Sequence, residues 1–282
     1  MRRPIGSGAS AWGSDIDRMI PRNPKINFTA ALPHWAPNPS FAQIINAGST
    51  SLPYVEPYLN KVMAAAAKQI SNPALQRDVT LFMAQEGNHY RQHKLFNKHL
   101  HARYPGLAAL EAELGKDLET MFRERSLKFN ASYCEGFESL GIIHAEFFFE
   151  QIPDLLEGAD RRVVDLWKWH LAEEFEHRTV CYDVHYALGS GYFARVGGFL
   201  YALRHLGGYG KRVSEYLMSA DRETMTAEES ARSRRAAKRY NRRFLRFAWP
   251  KLLKILSPLY DPRYKRPPHG AAAFLNEIGA AA

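Results

Sequence analysis

The sequence predicts an all-α protein, and three observations support this. From about Pro53 onward, apolar residues recur at helical spacing in most of the chain. Short runs with proline or glycine separate these segments, and no segment alternates apolar and polar residues as a strand or hairpin would. Hydrophobic residues make up 46% of the 282 residues, which is enough for a large buried core.

The helices can be placed by their end signals. Asn72 before Pro73 predicts a capped helix start, and Gly189 with Gly191 predicts a helix end. Pro250 should bend or shorten the last helix. The expected helices cover about 72–101, 107–151 with an interruption between 123 and 130, 160–188, 192–218 and 226–256.

Composition divides the chain into four parts. Residues 1–36, rich in proline, glycine, serine and asparagine, predict an irregular N-terminal arm. Residues 37–190 should form a helical bundle, residues 191–265 should add an apolar and a basic helix, and residues 266–282 should form a tail.

The cellular location follows from what the sequence lacks. Two cysteines argue against a disulfide scaffold and fit a reducing compartment. The N-terminus has no apolar stretch of the kind a secretory signal needs, and no run of about 18 apolar residues would span a membrane. We therefore expect a cytoplasmic protein, with peripheral attachment to the inner membrane face as an alternative.

Two Glu-x-x-His motifs carry the functional signal. The first is Glu86 with His89, and the second is Glu174 with His177, preceded by His170 one turn earlier. Residues three and four apart share one face of a helix, so each motif projects its carboxylate and imidazole together. Two such motifs on separate long helices, with one further glutamate from each of two other helices, are typical of a dinuclear metal site in a bundle.

The two further glutamates are predicted from the level of each residue along paired antiparallel helices. Glu56 is the only acid between residues 37 and 74, and it lies about as far before Asn72 as Glu86 lies after it. For the second pair, with a turn near residue 158, the level argument favours Glu146. Glu138 is the alternative, roughly 12 Å further along the helix at 1.5 Å per residue.

Two other residues are candidates for a supporting role. His93 lies one turn beyond His89, and Asp183 lies six residues beyond His177. His93 is expected to orient a ligand or to pack in the core rather than to bind metal directly. Asp183 is expected to hold a histidine or an arginine in place, with a plain surface acid as the alternative.

Three longer motifs resemble those of the bacterial proteins called predicted metal-dependent hydrolases, which have a ferritin-like di-iron fold. The motifs are Val55–Tyr58, Gln85–His93 with Phe96–Asn97, and Trp167–His177 with Tyr182–Asp183, within roughly residues 25–265. The family has a Glu-His pair on its third helix, whereas here Phe147 follows Glu146 and His144 precedes it. The resemblance implies a ferritin-like four-helix bundle with extra C-terminal helices.

The spacing of His170, Glu174 and His177 is also similar to that of di-iron arylamine N-oxygenases, in which an extra histidine ligates the site. The expected ligand set is therefore Glu56, Glu86, His89, Glu146, His170, Glu174 and His177. Imidazole with carboxylate suits two iron ions, with manganese or zinc as alternatives.

Three activities fit such a centre. Di-iron bundles activate dioxygen to oxidise a small organic substrate, often with an electron donor, and analogy of fold favours this activity. A two-metal hydrolase that activates water is the alternative suggested by the family's description. A non-catalytic metal-binding or ferroxidase protein is the third hypothesis.

The net charge of +9 is concentrated in one segment. Ten lysines and arginines lie between Arg232 and Lys254 without an acid, and taking ten from +9 leaves −1 for the rest of the chain. Aromatic and aliphatic residues are interleaved with these cations. The pattern predicts contact with an anionic membrane surface or packing on the bundle, and it favours both over nucleic acid, because no motif that reads nucleic acid accompanies the charge.

Overall fold

The computed structural model describes residues 18–280, and within this range the chain folds into α-helices and connecting loops without a strand. The all-α prediction is confirmed. The helices are α1 (Pro39–Ala67), α2 (Pro73–Arg103), α3 (Leu107–Glu124), α4 (Leu127–Glu150), α5 (Pro153–Leu156), α6 (Arg161–Glu176), α7 (Val180–Ala187), α8 (Tyr192–Arg222), α9 (Ala227–Ile255) and α10 (Ala271–Ala280), with a short 3-10 helix at Pro262–Tyr264.

Helices α1 and α2 form an antiparallel hairpin. Asn60 donates to the carbonyl of Met83, while Ser49 contacts His93 and Asn97, so residue numbers rise along α1 as they fall along α2. The predicted cap at Asn72 is present, since its side chain accepts from the backbone N–H of Ala74 at 2.9 Å.

Two prolines lie inside α1 without ending it. Proline has no N–H, so Pro53 leaves the carbonyl of Ser49 without its helical donor. The side chain of Asn97 on α2 donates to this carbonyl at 2.9 Å. The hydrogen bond that Pro53 removes is thus replaced from the neighbouring helix, and α1 continues past Glu56 and Pro57.

Helices α4 and α6 form a second antiparallel pair. Glu138 faces His177 at one level, and Phe148 lies against Trp167 at another. Their connection is longer than a tight turn, because it contains α5 and Gly158 with a φ of 73°. The predicted single helix over 160–188 is interrupted after Glu176, and α7 begins at Val180.

The remaining helices surround these pairs. Helix α8 packs closely against α4, and α9 packs on α1 and α4. Residues 18–36 of the predicted arm form neither helix nor strand, but Phe28 and Trp35 are buried in the core, while residues 1–17 lie outside the described range. The predicted tail contains α10, which packs against α6.

Candidate metal centre

Four helices bring their acidic and histidine side chains to one buried point. Glu56 comes from α1, Glu86 and His89 from α2, and Glu138 from α4. The fourth helix, α6, ends at this point. It supplies His170 and Glu174, and His177 directly follows its last residue. All seven side chains are at most 3% exposed.

The ligand atoms form two adjacent groups. In the first, His170 places Nδ1 3.7 Å from Glu56 and Nε2 3.2 Å from Glu174, and His89 places Nδ1 4.0 Å from Glu174. In the second, Nε2 of His177 lies 3.4 Å from Glu86 and 3.3 Å from Glu138. Within each group, the ligand atoms lie within 4.8 Å of one another.

Two carboxylates connect the groups. Glu174 belongs to the first group and also lies 3.6 Å from Nε2 of His177 in the second. Glu86 belongs to the second group, and its other oxygen lies 3.9 Å from Nδ1 of His89 in the first. Glu86 thus presents one oxygen to each group, whereas the same oxygen of Glu174, Oε1, faces histidines of both groups.

The structure places Glu138, rather than the favoured Glu146, among these residues. Glu146 forms ion pairs with Lys251 of α9 and, at 3.5 Å, with Lys265. The level argument erred because it took the turn to be at residue 158. Helix α4 ends at Glu150, so the connection is centred nearer residue 155, and Glu138 lies level with Glu174.

The unpaired polar atoms indicate that the centre is suited to metal ions. Both carboxylate oxygens of Glu56, Glu86, Glu138 and Glu174 are buried without a hydrogen-bond partner, as are Nδ1 of His89 and Nδ1 of His170. A buried ionised carboxylate without a partner is costly, so such groups are normally paired or coordinate metal. Oxygen and imidazole donors at these separations fit metal–ligand bonds of about 2.0–2.2 Å.

Without metal, protons must take up part of this negative charge. Burial, reinforced by repulsion from the neighbouring glutamates, raises the pKa values of Glu56 and Glu138 well above the ordinary range. Burial alone would also raise the pKa of Glu174, but His170 and His177 beside it lower it. The carboxylates therefore compete for protons, and metal binding would release them.

The imidazoles respond to the same surroundings. Burial would lower the pKa of His89, but the carboxylates of Glu173 and Glu86 raise it to about 9. For His170, burial and the nearby His89 lower the pKa. Metal binds neutral imidazole, so a metal ion would displace the proton that His89 holds.

Glu173 and Arg22 hold His89 from behind. Nε2 of His89 lies 3.0 Å from Glu173, which leaves Nδ1 facing the centre. Arg22 of the N-terminal arm bonds Glu173 and Glu176, each at 3.0 Å, and Gln85 donates to Glu176 at 2.7 Å. A carboxylate on the far nitrogen of a metal-binding histidine fixes its tautomer and orientation.

These partners were not among the predicted residues, although one signal for Glu173 was present. It directly precedes Glu174, and ligating histidines commonly hold a second carboxylate. No local pattern marks Arg22, because it reaches the centre from about 150 residues away in sequence.

The two predicted supporting residues have different surroundings. His93 packs edge-on against His170 with ring centroids 4.9 Å apart, and Ser49 lies 2.8 Å from its Nδ1. It therefore supports the position of His170. Asp183 instead pairs with Arg263 at 2.7 and 2.8 Å, so it links α7 to the C-terminal segment and contacts no histidine of the centre.

Aromatic rings and one glycine complete the surroundings. Phe82 lies against His177 and Trp169 against His89, with ring centroids 4.8 Å apart in both pairs. A Cβ atom added at Gly141 of α4 would overlap the carboxylate of Glu174. An alanine at residue 141 would therefore displace the Glu174 carboxylate.

The fold and the site together define an all-α protein with a buried carboxylate–histidine cluster suited to metal. The chain belongs to the family described as predicted metal-dependent hydrolase, whose pattern matches residues 20–265. The matched region includes every residue of the cluster as well as Arg22 and Glu173. Comparison with curated proteins and with solved structures found no match.

Proposed function

We propose that this chain is an enzyme with a dinuclear metal centre held by Glu56, Glu86, His89, Glu138, His170, Glu174 and His177. The observation that carries the proposal is the presence of two adjacent ligand groups with carboxylates shared between them. One ion would lie in each group, with Glu86 and Glu174 between them.

Charge balance supports two ions rather than one. The cluster holds four carboxylates, and Arg22, which lies behind it, pairs with Glu173 and Glu176 instead. Two divalent cations would neutralise four carboxylates if the three imidazoles are neutral. One ion would leave two buried carboxylates to be neutralised by protons.

We favour iron and dioxygen activation for this centre. Four carboxylates and three imidazoles form a donor set that suits iron or manganese, and the cluster contains no thiolate. When bound, two ferrous ions supply the electrons to activate dioxygen for oxidation of a small organic substrate. An electron donor would restore the ferrous state.

The chain's own residues would prepare the site for this reaction. Glu173 and Arg22 orient His89, and His93 packs against His170. The rings of Phe82 and Trp169 exclude water from two of the histidines. A dry surrounding strengthens electrostatic interactions and protects a reactive centre from side reactions.

The test is to load anaerobically purified protein with ferrous iron and mix it rapidly with oxygen. We expect oxygen consumption that is about stoichiometric with the dinuclear centres, and a new visible absorption band. Glu174→Gln should abolish both. A matched control is Glu111→Gln. Glu111 lies on α3, away from the cluster, and its buried carboxyl bonds to Tyr54 and His101. This control should react like the unmodified chain.

Hydrolysis is the second candidate, and the family's description is the observation that favours it. Two metal ions can activate water and polarise a carbonyl or phosphoryl group. In the same experiment, a ferrous protein inert to oxygen, together with a zinc or manganese form that cleaves model esters or amides, would replace oxidation by hydrolysis.

A further inference from the structure

The inner face of α9 is fully used in packing. Tyr240 lies against Phe41 of α1, with ring centroids 5.4 Å apart, while Phe244 and Phe247 lie against Phe147 of α4 at 5.1 and 5.3 Å. Lys251 adds an ion pair to Glu146. These contacts fix the rotation of α9 and therefore determine which residues face outward.

The outward face is a continuous stripe with two halves, which we call the α9 stripe. Its residues follow one another at steps of three or four, so they share one side of the helix. The first half is cationic and the second is apolar. The cationic half consists of Arg235, Lys238, Arg239, Arg242 and Arg246, and the apolar half consists of Leu245, Trp249 and Leu253.

The cations of the stripe lack partners among the described residues. Elsewhere on α9, Arg232 pairs with Glu228 and Arg243 pairs with Asp154. By contrast, no acid of residues 18–280 forms an ion pair with the five cations of the stripe, and all five are exposed. Their positive charge is therefore available to an external anion.

The apolar half is exposed, and further exposed apolar residues lie near the C-terminal end of α9. Trp249 is 62% exposed, and Leu245 and Leu253 are each more than half exposed. The start of α8 abuts the end of α9, because Tyr192 bonds the carbonyl of Leu256 at 2.7 Å. Near this junction Phe193 and Leu259 are 87% and 89% exposed.

We propose that the α9 stripe docks the protein on an anionic lipid bilayer. Arg235 to Arg246 would contact headgroups, while Trp249 and Leu253 would enter the interface. A cationic helix with adjacent exposed tryptophan and leucine combines attraction to anionic lipid with burial of apolar area. The contact is peripheral, because none of the helices in residues 18–280 has the length and apolar character to span a bilayer.

The apolar half of the α9 stripe distinguishes a lipid surface from nucleic acid. A purely cationic stripe would suit nucleic acid equally well. The apolar half has no group that would bind a phosphate. Contact with a partner stabilises exposed aliphatic side chains only where it removes them from water. The alternation of the stripe from charge to apolar surface therefore favours a bilayer, which offers both environments at one interface.

The test is co-sedimentation of the full chain with phosphatidylcholine vesicles that contain 0 or 30% phosphatidylglycerol, at low and high salt. Binding should require the anionic lipid and weaken with salt. Arg242→Glu with Arg246→Glu should weaken it at least about tenfold. The matched control is Lys94→Glu with Lys98→Glu on α2, which makes the same change of charge at two exposed positions and should bind normally.

The apolar half is tested separately by Trp249→Ser with Leu253→Ser, against Leu95→Ser, which changes an exposed leucine on α2. Only the first should weaken binding. Brominated lipid should quench tryptophan fluorescence, and Trp249→Phe should remove this quenching while binding persists. Failure to bind anionic vesicles, or equal binding by all variants, would overturn the proposal. So would binding of RNA that depends on the cations but not on Trp249 and Leu253, without vesicle binding.

Discussion

Glu138 and Glu146 lie about two helical turns apart on α4 and have opposite electrostatic surroundings. Glu138 faces three other glutamates of the cluster, and repulsion from Glu174 and Glu86 adds to the burial that raises its pKa. Glu146 faces Lys251 and Lys265 instead. The Glu138 carboxylate lacks sufficient nearby positive charge, which a metal ion would supply. The Glu146 carboxylate is already paired with two lysines.

This difference predicts that a change from glutamate to glutamine reduces metal binding at residue 138 but not at residue 146. Glu138→Gln should remove one metal ion per chain or weaken its binding by more than the roughly 10- to 100-fold typical of losing a residue that only orients a ligand. Glu146→Gln should leave metal content unchanged and alter stability by about 1 kcal/mol or less, because its lysine partners are partly exposed. Metal analysis of both purified variants checks this, and the reverse ranking would contradict it.

Helices α4 and α8 approach each other through glycines. A Cβ atom at Gly198 of α8 would overlap the backbone carbonyl of Ser132, and one at Gly136 of α4 would lie 2.7 Å from the Cα of Phe199. Backbone cannot move aside as a flexible side chain can. The two glycines therefore set the distance between α4, which carries Glu138, and its outer neighbour.

Two adjacent glycines of α8 should respond oppositely to alanine. Gly198→Ala should destabilise the fold by about 1–2 kcal/mol, because overpacking costs more than alanine's helix propensity returns. A Cβ atom at Gly197 meets nothing within 4 Å, so Gly197→Ala should stabilise by up to about 1 kcal/mol. Urea unfolding at equal metal loading measures both, and equal effects at the two positions would refute the close approach.

Most helices were predictable from the sequence, because their end signals are local. Asn72 caps α2, and Gly189, with a φ of 72°, follows α7 as expected. The break after Glu176 was not predictable, since neither proline nor glycine marks it. Nor was α10, which lies in a segment read as a tail and is held by packing against α6.

The site was predictable where helix periodicity alone determines it. Glu86 with His89, and His170 with Glu174 and His177, each lie on one helix, so their spacing fixes their common face. The choice between Glu138 and Glu146 depended on the register between two helices. That register is set by the length and path of the α5 connection, which no local pattern reveals. Arg22 and Glu173 likewise meet only in the folded chain.

The cluster links the stability of the whole molecule to pH and metal. Without metal, the folded state has raised pKa values at Glu56, Glu138 and His177, and His89 reaches about 9. His89, whose pKa rises from an ordinary 6.5 to about 9, therefore holds its proton between pH 7 and 8.5 in the folded state but largely loses it in the unfolded state. Stability falls with rising pH wherever the folded state binds more protons.

Metal should oppose this trend, because its ligands bind only after losing their protons. We expect the melting temperature of the metal-free protein to fall between pH 7 and 8.5, and the gap between metal-loaded and metal-free protein to widen. Glu138→Gln should flatten the metal-free slope, because the Glu138 carboxylate helps to raise the pKa of His177. Calorimetry at several pH values measures the gap. A gap that narrows with rising pH would contradict the proposed role of these carboxylates.

The most direct test of the dinuclear centre is the metal-to-chain ratio after anaerobic loading with ferrous iron and removal of unbound metal. Elemental mass spectrometry of the unmodified protein should give two ions per chain. Glu86→Ala or Glu174→Ala should give one or none, because each removes a carboxylate shared by both ligand groups. A ratio of one or less in the unmodified chain, or of two in either variant, would contradict the account.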